Sequence, residues 1–208
     1  MKNKIILLIC TLSVMSCATI SYTPKIALDV SPKTIKKTIQ IENLIDKMDI
    51  KSKQKPFGGY SVTDKSSLAG ALSLEVTNAI VEDFNANGVF SKISKREENP
   101  DFTIKGEILN FKGKYRPTTA YWLTIPIDLI WFFGVPVMKD EIDIQIKLSV
   151  FDKSGKLVGE YYGNSNSSKL YSMYNNGMLG LPVRTNRGFT EAISQIREKI
   201  IFDIDKFN

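Results

Sequence analysis

Ile142, Ile144, Ile146, Leu148 and Val150 alternate without a break with Asp143, Gln145, Lys147 and Ser149. A period of two sends successive side chains to opposite faces of an extended chain, so this stretch reads as a strand with one dry side and one wet side. Asp152-Lys153-Ser154-Gly155 follows with turn chemistry, and Lys156 to Tyr162 returns as the hairpin partner. A sheet that is apolar on one side must be covered there. Two segments can do it. Leu68, Leu72, Val76, Ala79, Ile80 and Phe84 recur at helical spacing, with Glu75, Glu82 and Asp83 off the stripe; Phe189, Ile193, Ile196, Ile200, Ile204 and Phe207 do the same near the end. Ser66 or Ser67 is the expected cap of the first helix and Gly88 its stop, and the second helix is expected to begin near Asn186.

Further strands complete the pattern. Thr38 to Leu44 alternates, and Val89 to Ile93 suits a short strand entered from the helix. Asp101 to Tyr115 has Phe102, Ile104 and Ile108 on one parity and Leu109 and Phe111 on the other, which predicts a bulge or bend near Gly106. The expected fold is α+β, a mixed or mainly antiparallel sheet with two amphipathic helices on one face. Lys51 to Tyr60 reads as a loop, and so does Leu170 to Arg187, where Tyr171, Tyr174 and Arg184 are available for binding.

The amino terminus bears on location. Lys2 and Lys4 precede an apolar run from Ile5 to Met15. That is the layout of a secretory signal, and it falls short of the roughly 20 apolar residues a spanning helix needs. Val14-Met15-Ser16-Cys17 resembles the bacterial lipobox, although methionine is not the usual second residue. The resemblance implies that Cys17 receives a diacylglycerol and, after cleavage, becomes the first residue of the mature chain. An ordinary signal with an incidental cysteine is the alternative. The division that follows is a lipoprotein signal peptide over 1–16, a lipidated tether over 17–37 and a single α+β domain over 38–208. Ala18 resembles the sorting signal for the outer membrane.

Taken together, TIQIENL, ALSLEVTNAIVEDFNANGVFSKI, PDFTIKGEILNFKGKY and FDKSGKLVGEYYG resemble small envelope lipoproteins related to the TolB N-terminal domain, the curli-secretion lipoprotein and the auxiliary lipoproteins of lipid-transport systems. The resemblance implies an adaptor or assembly role. It carries over no catalytic or partner-binding residue.

Several chemistries are excluded by composition. The chain has no histidine and two cysteines, one of them Cys10 within the signal, so there is no Ser-His-Asp triad, no disulfide framework in the mature chain and no free thiol beside a lipidated Cys17. A zinc site would need carboxylates alone. No P-loop is present, and Gly177, Gly180 and Gly188 do not form a dinucleotide fingerprint. Glu97-Glu98 and Asp140-Glu141 are adjacent acids, which on extended backbone point apart and suit no glycosidase dyad. No catalytic residue, metal ligand or cofactor is assigned, and the expectation is a non-enzyme. The net charge of +6 is dispersed, which argues against nucleic acid. Lys33, Lys36 and Lys37 form a local basic tract, open to contact with anionic head groups or to service as a solvated connector.

Ala120 to Met138, AYWLTIPIDLIWFFGVPVM, holds both tryptophans, Trp122 and Trp131, with Phe132 and Phe133. Pro126, Asp128 and Pro136 oppose a spanning helix. Three readings remain: a buried connector, aromatics at a membrane interface, or a docking surface for an envelope protein. The functional expectation is a periplasm-facing lipoprotein, held to the outer membrane by acyl chains and acting as an auxiliary or assembly component. The alternative is a lipid- or carbohydrate-binding protein using the aromatic segment. The sequence leaves the oligomeric state open.

Overall fold

The computed structural model describes residues 21–27, 35–124, 133–172, 174–175 and 177–207. Cys17, Lys33, Trp131 and Phe132, all singled out above, lie outside the described residues. In chain order the elements are β1 (Ile35–Ile41), β2 (Ile45–Asp46), α1 (Ile50–Lys53), β3 (Tyr60–Ser61), α2 (Leu72–Ala86), β4 (Phe90–Ser94), β5 (Phe102–Pro117), α3 (Thr119–Thr124), β6 (Met138–Asp152), β7 (Leu157–Tyr171) and α4 (Gly177–Phe202), closed by a 3-10 turn over Ile204–Phe207.

The sheet is mixed and runs in the order β4-β1-β5-β6-β7. The alternating stretch at 142–150 lies in β6, which pairs antiparallel with β5 on one side and β7 on the other. β1 pairs parallel with β4 and β5. The edge of β5 away from β6 is shared in succession by β1, β2 and β3, so one long strand carries three short ones. Asp152 closes the β6–β7 hairpin: its Oδ1 accepts from Ser154 N at 2.8 Å and Lys156 N at 3.0 Å.

Both amphipathic helices cover the same face of this sheet, as their stripes require. Val76, Ile80 and Phe84 of α2 and Phe189, Ile193, Ile196 and Ile200 of α4 are buried in one core with Ile104, Ile108, Ile144, Ile146 and Leu148. Phe207 closes one end by edge-on contacts with Phe90 at 5.8 Å and Phe102 at 5.3 Å.

The free edge of β7 is covered by α4. Gln195 donates to Asn164 O at 2.8 Å and accepts from Asn164 N at 3.1 Å, and Lys199 Nζ donates to Tyr162 O at 2.6 Å.

Five local expectations are corrected. The bulge falls at Leu109, between the Ile108–Ile146 and Asn110–Gln145 pairs, rather than at Gly106. Gly106 faces the core, where a Cβ would press on Leu44 and Leu148. β7 continues to Tyr171 instead of ending at Tyr162. The residue before α2 is Ala71, with no side-chain cap, so neither Ser66 nor Ser67 serves. Tyr22 explains why: it pairs with the 67–69 stretch through Tyr22 N to Ser67 O at 2.8 Å and Ala69 N to Tyr22 O at 3.0 Å, holding that stretch out of the helix. Tyr22 and Ile26 are themselves core residues, so part of the stretch read as a tether packs on the domain. Finally, most of the loop expected at 170–187 is helix: α4 begins at Gly177 and runs through Pro182.

Candidate functional site

The aromatic segment starts where β5 ends. Pro117 is the last residue of β5, Thr118 N donates to Val137 O at 2.9 Å, and Thr118 Oγ1 accepts from Tyr121 N at 3.3 Å, capping the short helix α3. Trp122 on α3 stacks on Phe57 with ring centroids 5.6 Å apart and an interplanar angle of 27°, and Tyr121 meets the same indole edge-on at 5.1 Å. Phe57 reaches it because Gly58 adopts φ 68° against the Pro117 ring, a conformation that residues with a Cβ rarely adopt. Phe57 is 84% exposed, Trp122 45%, Leu123 74% and Phe133 85%. The connector reading is therefore excluded for Trp122 and Phe133, which form no part of the core.

The other residues read as binding candidates have different places. Tyr171 is buried, and its hydroxyl donates to Asp140 Oδ2 at 2.8 Å. Arg184 ion-pairs with the same carboxylate, donates from Nη2 to Gly177 O at 2.9 Å and lies 5.0 Å over the Tyr171 ring. Lys169 N completes the set at 2.7 Å from Asp140 Oδ1. Burial, helped by the hydrogen bond to Asp140, pushes the Tyr171 phenol up to about 12. Tyr171 and Arg184 thus pin the start of α4 to the sheet beneath the exposed aromatics, while Tyr174 is exposed beyond the end of β7.

Adjacent acids do point apart. Asp140 faces the helices, whereas Glu141 lies on the open face between Lys112 at 2.8 Å, Arg116 at 2.7 Å and Lys139 at 3.0 Å. The hydrogen bond from Arg116, then those from Lys112 and Lys139, hold its carboxyl far below the ordinary range against the opposing effect of burial. Glu97 is paired with Lys92 at 2.7 Å. Among the described residues no cluster of acids or thiols is placed to hold a metal ion, and no helix is long and apolar enough to cross a membrane. A groove of about 870 Å³ runs between residues 25–27 and the outer side of α4, and one of about 460 Å³ lies by Phe102 and Phe151 at the opposite end of the sheet; Trp122 lines neither.

Sequence reasoning missed Phe57, which makes half of the exposed stack. A lone aromatic between Pro56 and Gly58-Gly59 was the available signal.

No protein-family profile matches the chain, and no curated protein does. Among solved structures, a Xanthomonas campestris protein of family DUF330 is similar over 89% of this chain and 94% of its own, at 9% identity and a TM-score of 0.51. A minor lipoprotein from Acinetobacter baumannii is 11% identical over 80% of this chain and 94% of its own, with a TM-score of 0.42. PelC from Paraburkholderia phytofirmans, solved as a dodecamer, is 10% identical over 82% and 93%, with a TM-score of 0.34. At such identities the likeness is one of fold, and the Xanthomonas protein shares that fold.

Proposed function

We propose that the chain is a lipid-anchored lipoprotein of a diderm envelope, facing the periplasm from the outer membrane, and that it works there as a non-enzymatic auxiliary or assembly component. The observation that carries the reading is the apolar end at Phe57, Trp122, Leu123 and Phe133, where large hydrophobic side chains stand in solvent and, among the described residues, no cluster of acids or thiols is placed to hold a metal. Such a patch is a contact surface. The strongest polar cluster nearby, Asp140 with Tyr171 and Arg184, is spent on holding α4 in place and offers no poised acid or base. The signal and lipobox at 1–17 supply the anchoring half of the reading.

A lipid- or carbohydrate-binding protein would use aromatics as the walls of a cavity. Trp122 instead presents an exposed stack with Phe57, which favours surface contact. Fractionation of cells carrying Cys17→Ser, with mass spectrometry of the wild-type amino terminus, tests the anchor. The expected result is release into the soluble periplasm from the variant and a triacylated or diacylated Cys17 in the wild type. An unmodified wild-type Cys17 would overturn the anchor. Affinity purification from intact membranes tests the auxiliary role, which requires a stoichiometric envelope partner.

A further inference from the structure

The amino-terminal segment has a direction. Lys25 N donates to Asn186 Oδ1 at 3.0 Å and Ala27 N to Thr190 Oγ1 at 3.0 Å. Two residues of extended chain advance about 7 Å and four residues of helix about 6 Å, so the segment runs alongside α4 and in the same sense. Run backwards, that direction points from Lys25 toward the start of α4, with the Tyr22 hydroxyl still donating to Asn186 Oδ1 at 2.9 Å. That start lies at one end of the sheet, because Gly177 packs against Tyr115 and Tyr171. Tyr171 pairs with Met138, and Met138 with Pro117, from which α3 departs and on which Gly58 rests. The segment therefore points back toward the end that carries the exposed aromatics.

We propose that this end, built by Phe57, Trp122, Leu123 and Phe133, sits in the head-group layer of the bilayer to which Cys17 is tied, so that the domain stands on the membrane rather than hanging from it. The inference rests on the anchored reading above. Cys17 is four residues before Ser21, a span of at most about 14 Å. Beyond Asn186, where Tyr22 and Lys25 meet it, the helix alongside runs on for 16 residues, about 24 Å, which is further than this span reaches toward the far end.

The chemistry of the end matches that occupant. Aromatic rings prefer the boundary between hydrocarbon and water, and exposed leucine and phenylalanine gain by entering it. Lys55 comes two residues before Phe57, and Arg116, Lys139 and Lys169 lie within two residues of the same end of β5, β6 and β7, a basic set able to meet anionic head groups. Glu141 is shared by Arg116, Lys139 and Lys112, so the rim stays cationic. A protein partner would also find an apolar surface here, but the bilayer alone is brought to this end by the covalent course of the chain.

Tryptophan fluorescence reads the position directly. The chain has two tryptophans, and Trp131→Phe leaves Trp122 as sole emitter. The full mature protein purified from membranes would be placed in phosphatidylethanolamine–phosphatidylglycerol vesicles containing lipids brominated near the carbonyl end of the acyl chain. The expected result is a blue shift relative to the Cys17→Ser chain in buffer and loss of about half the emission to the brominated lipid. Both effects should vanish when Phe57, Leu123 and Phe133 are changed to serine, exposed positions whose substitution should leave the thermal melt in place. Trp122 emission at the solvent position, unquenched by brominated lipid, would overturn the proposal. So would an indole that is unquenched by lipid and becomes shielded from acrylamide only in intact envelopes, which would give the end to a protein. The mass of the amino-terminal peptide in the same sample reads acylation separately. An unmodified Cys17 removes the anchor, while the quenching still decides what the aromatic end touches.

Discussion

Nη1 of Arg197, on α4, reaches both carboxylate oxygens of Asp83, on α2, at 2.9 and 2.8 Å, and this pair ties together the two helices that cover the sheet. Asp83 is fully buried and also accepts from Asn87 Nδ2 at 3.0 Å. Arg197→Met leaves that carboxylate buried beside one amide, so denaturant unfolding should show a loss of about 3–5 kcal/mol. Adding Asp83→Leu should recover much of the loss, because an apolar pair costs no desolvation of charge. If the double variant is no more stable than Arg197→Met alone, the cost was one of packing.

The phase of α4 is tested at two positions on opposite faces. Ile196 has no exposed surface, whereas Glu198 points into solvent. Ile196→Asp should cost several kcal/mol by burying a charge without a partner, and Glu198→Ala should stay within about 0.5 kcal/mol of wild type. Thermal melts of the lipid-free chain compare them, and equal effects would contradict the orientation of the helix.

Close approach of α4 to β7 depends on Gly163. A Cβ there would collide with the backbone carbonyl of Ala192, which cannot swing aside as a side chain can. Gly163→Ala should therefore lift the helix and cost more than Gly155→Ala, which meets nothing within 4 Å and bears only its φ of 82°. The latter should cost about 1–2 kcal/mol. Urea midpoints of the two variants give the order, and a larger loss at Gly155 would count against the packing.

Acid should reveal Glu141. Its folded carboxyl lies below its unfolded value, held down by hydrogen bonds from Arg116, Lys112 and Lys139. A depressed acid adds stability above the unfolded pKa of about 4.3 and loses it as pH falls toward the folded value. The melting temperature of wild type should exceed that of Glu141→Gln at neutral pH, and the gap should begin to shrink only below about pH 4 and close as the pH nears the far lower folded value. A gap that persists unchanged at low pH would show that the charge is not what the cations stabilise.

The parts of this fold that were legible in the sequence are those where one local rule acts alone. Ile142 to Val150 had a clean period, Asp152 to Gly155 had turn chemistry, and Gly88, at φ 58°, had the conformation expected after a helix. The part that was misread follows from glycine having two uses. The stretch from Leu170 to Arg187 resembled a loop through its glycines and asparagines, yet Gly177 lies where α4 meets Tyr115 and Tyr171, with room for little beyond a hydrogen. Burial of Leu181 and the Arg184–Asp140 pair outweigh the amide that Pro182 lacks. The same confusion moved the expected bulge to Gly106. For the aromatic end, the rings were visible in the sequence and their exposure was not, because exposure depends on the turn at Gly58 that brings Phe57 across to Trp122.

If acyl chains confine the protein to two dimensions, as proposed above, the side chains of Gln195 and Lys199 along β7 matter most. Copies tied to one surface meet far more often than the same copies in solution, and a bare strand edge would let each encounter template the next. With the outward amide and carbonyl of Asn164 and the carbonyl of Tyr162 already engaged within the chain, such encounters find no strand to extend at these positions. Crowding at a surface then need not become aggregation.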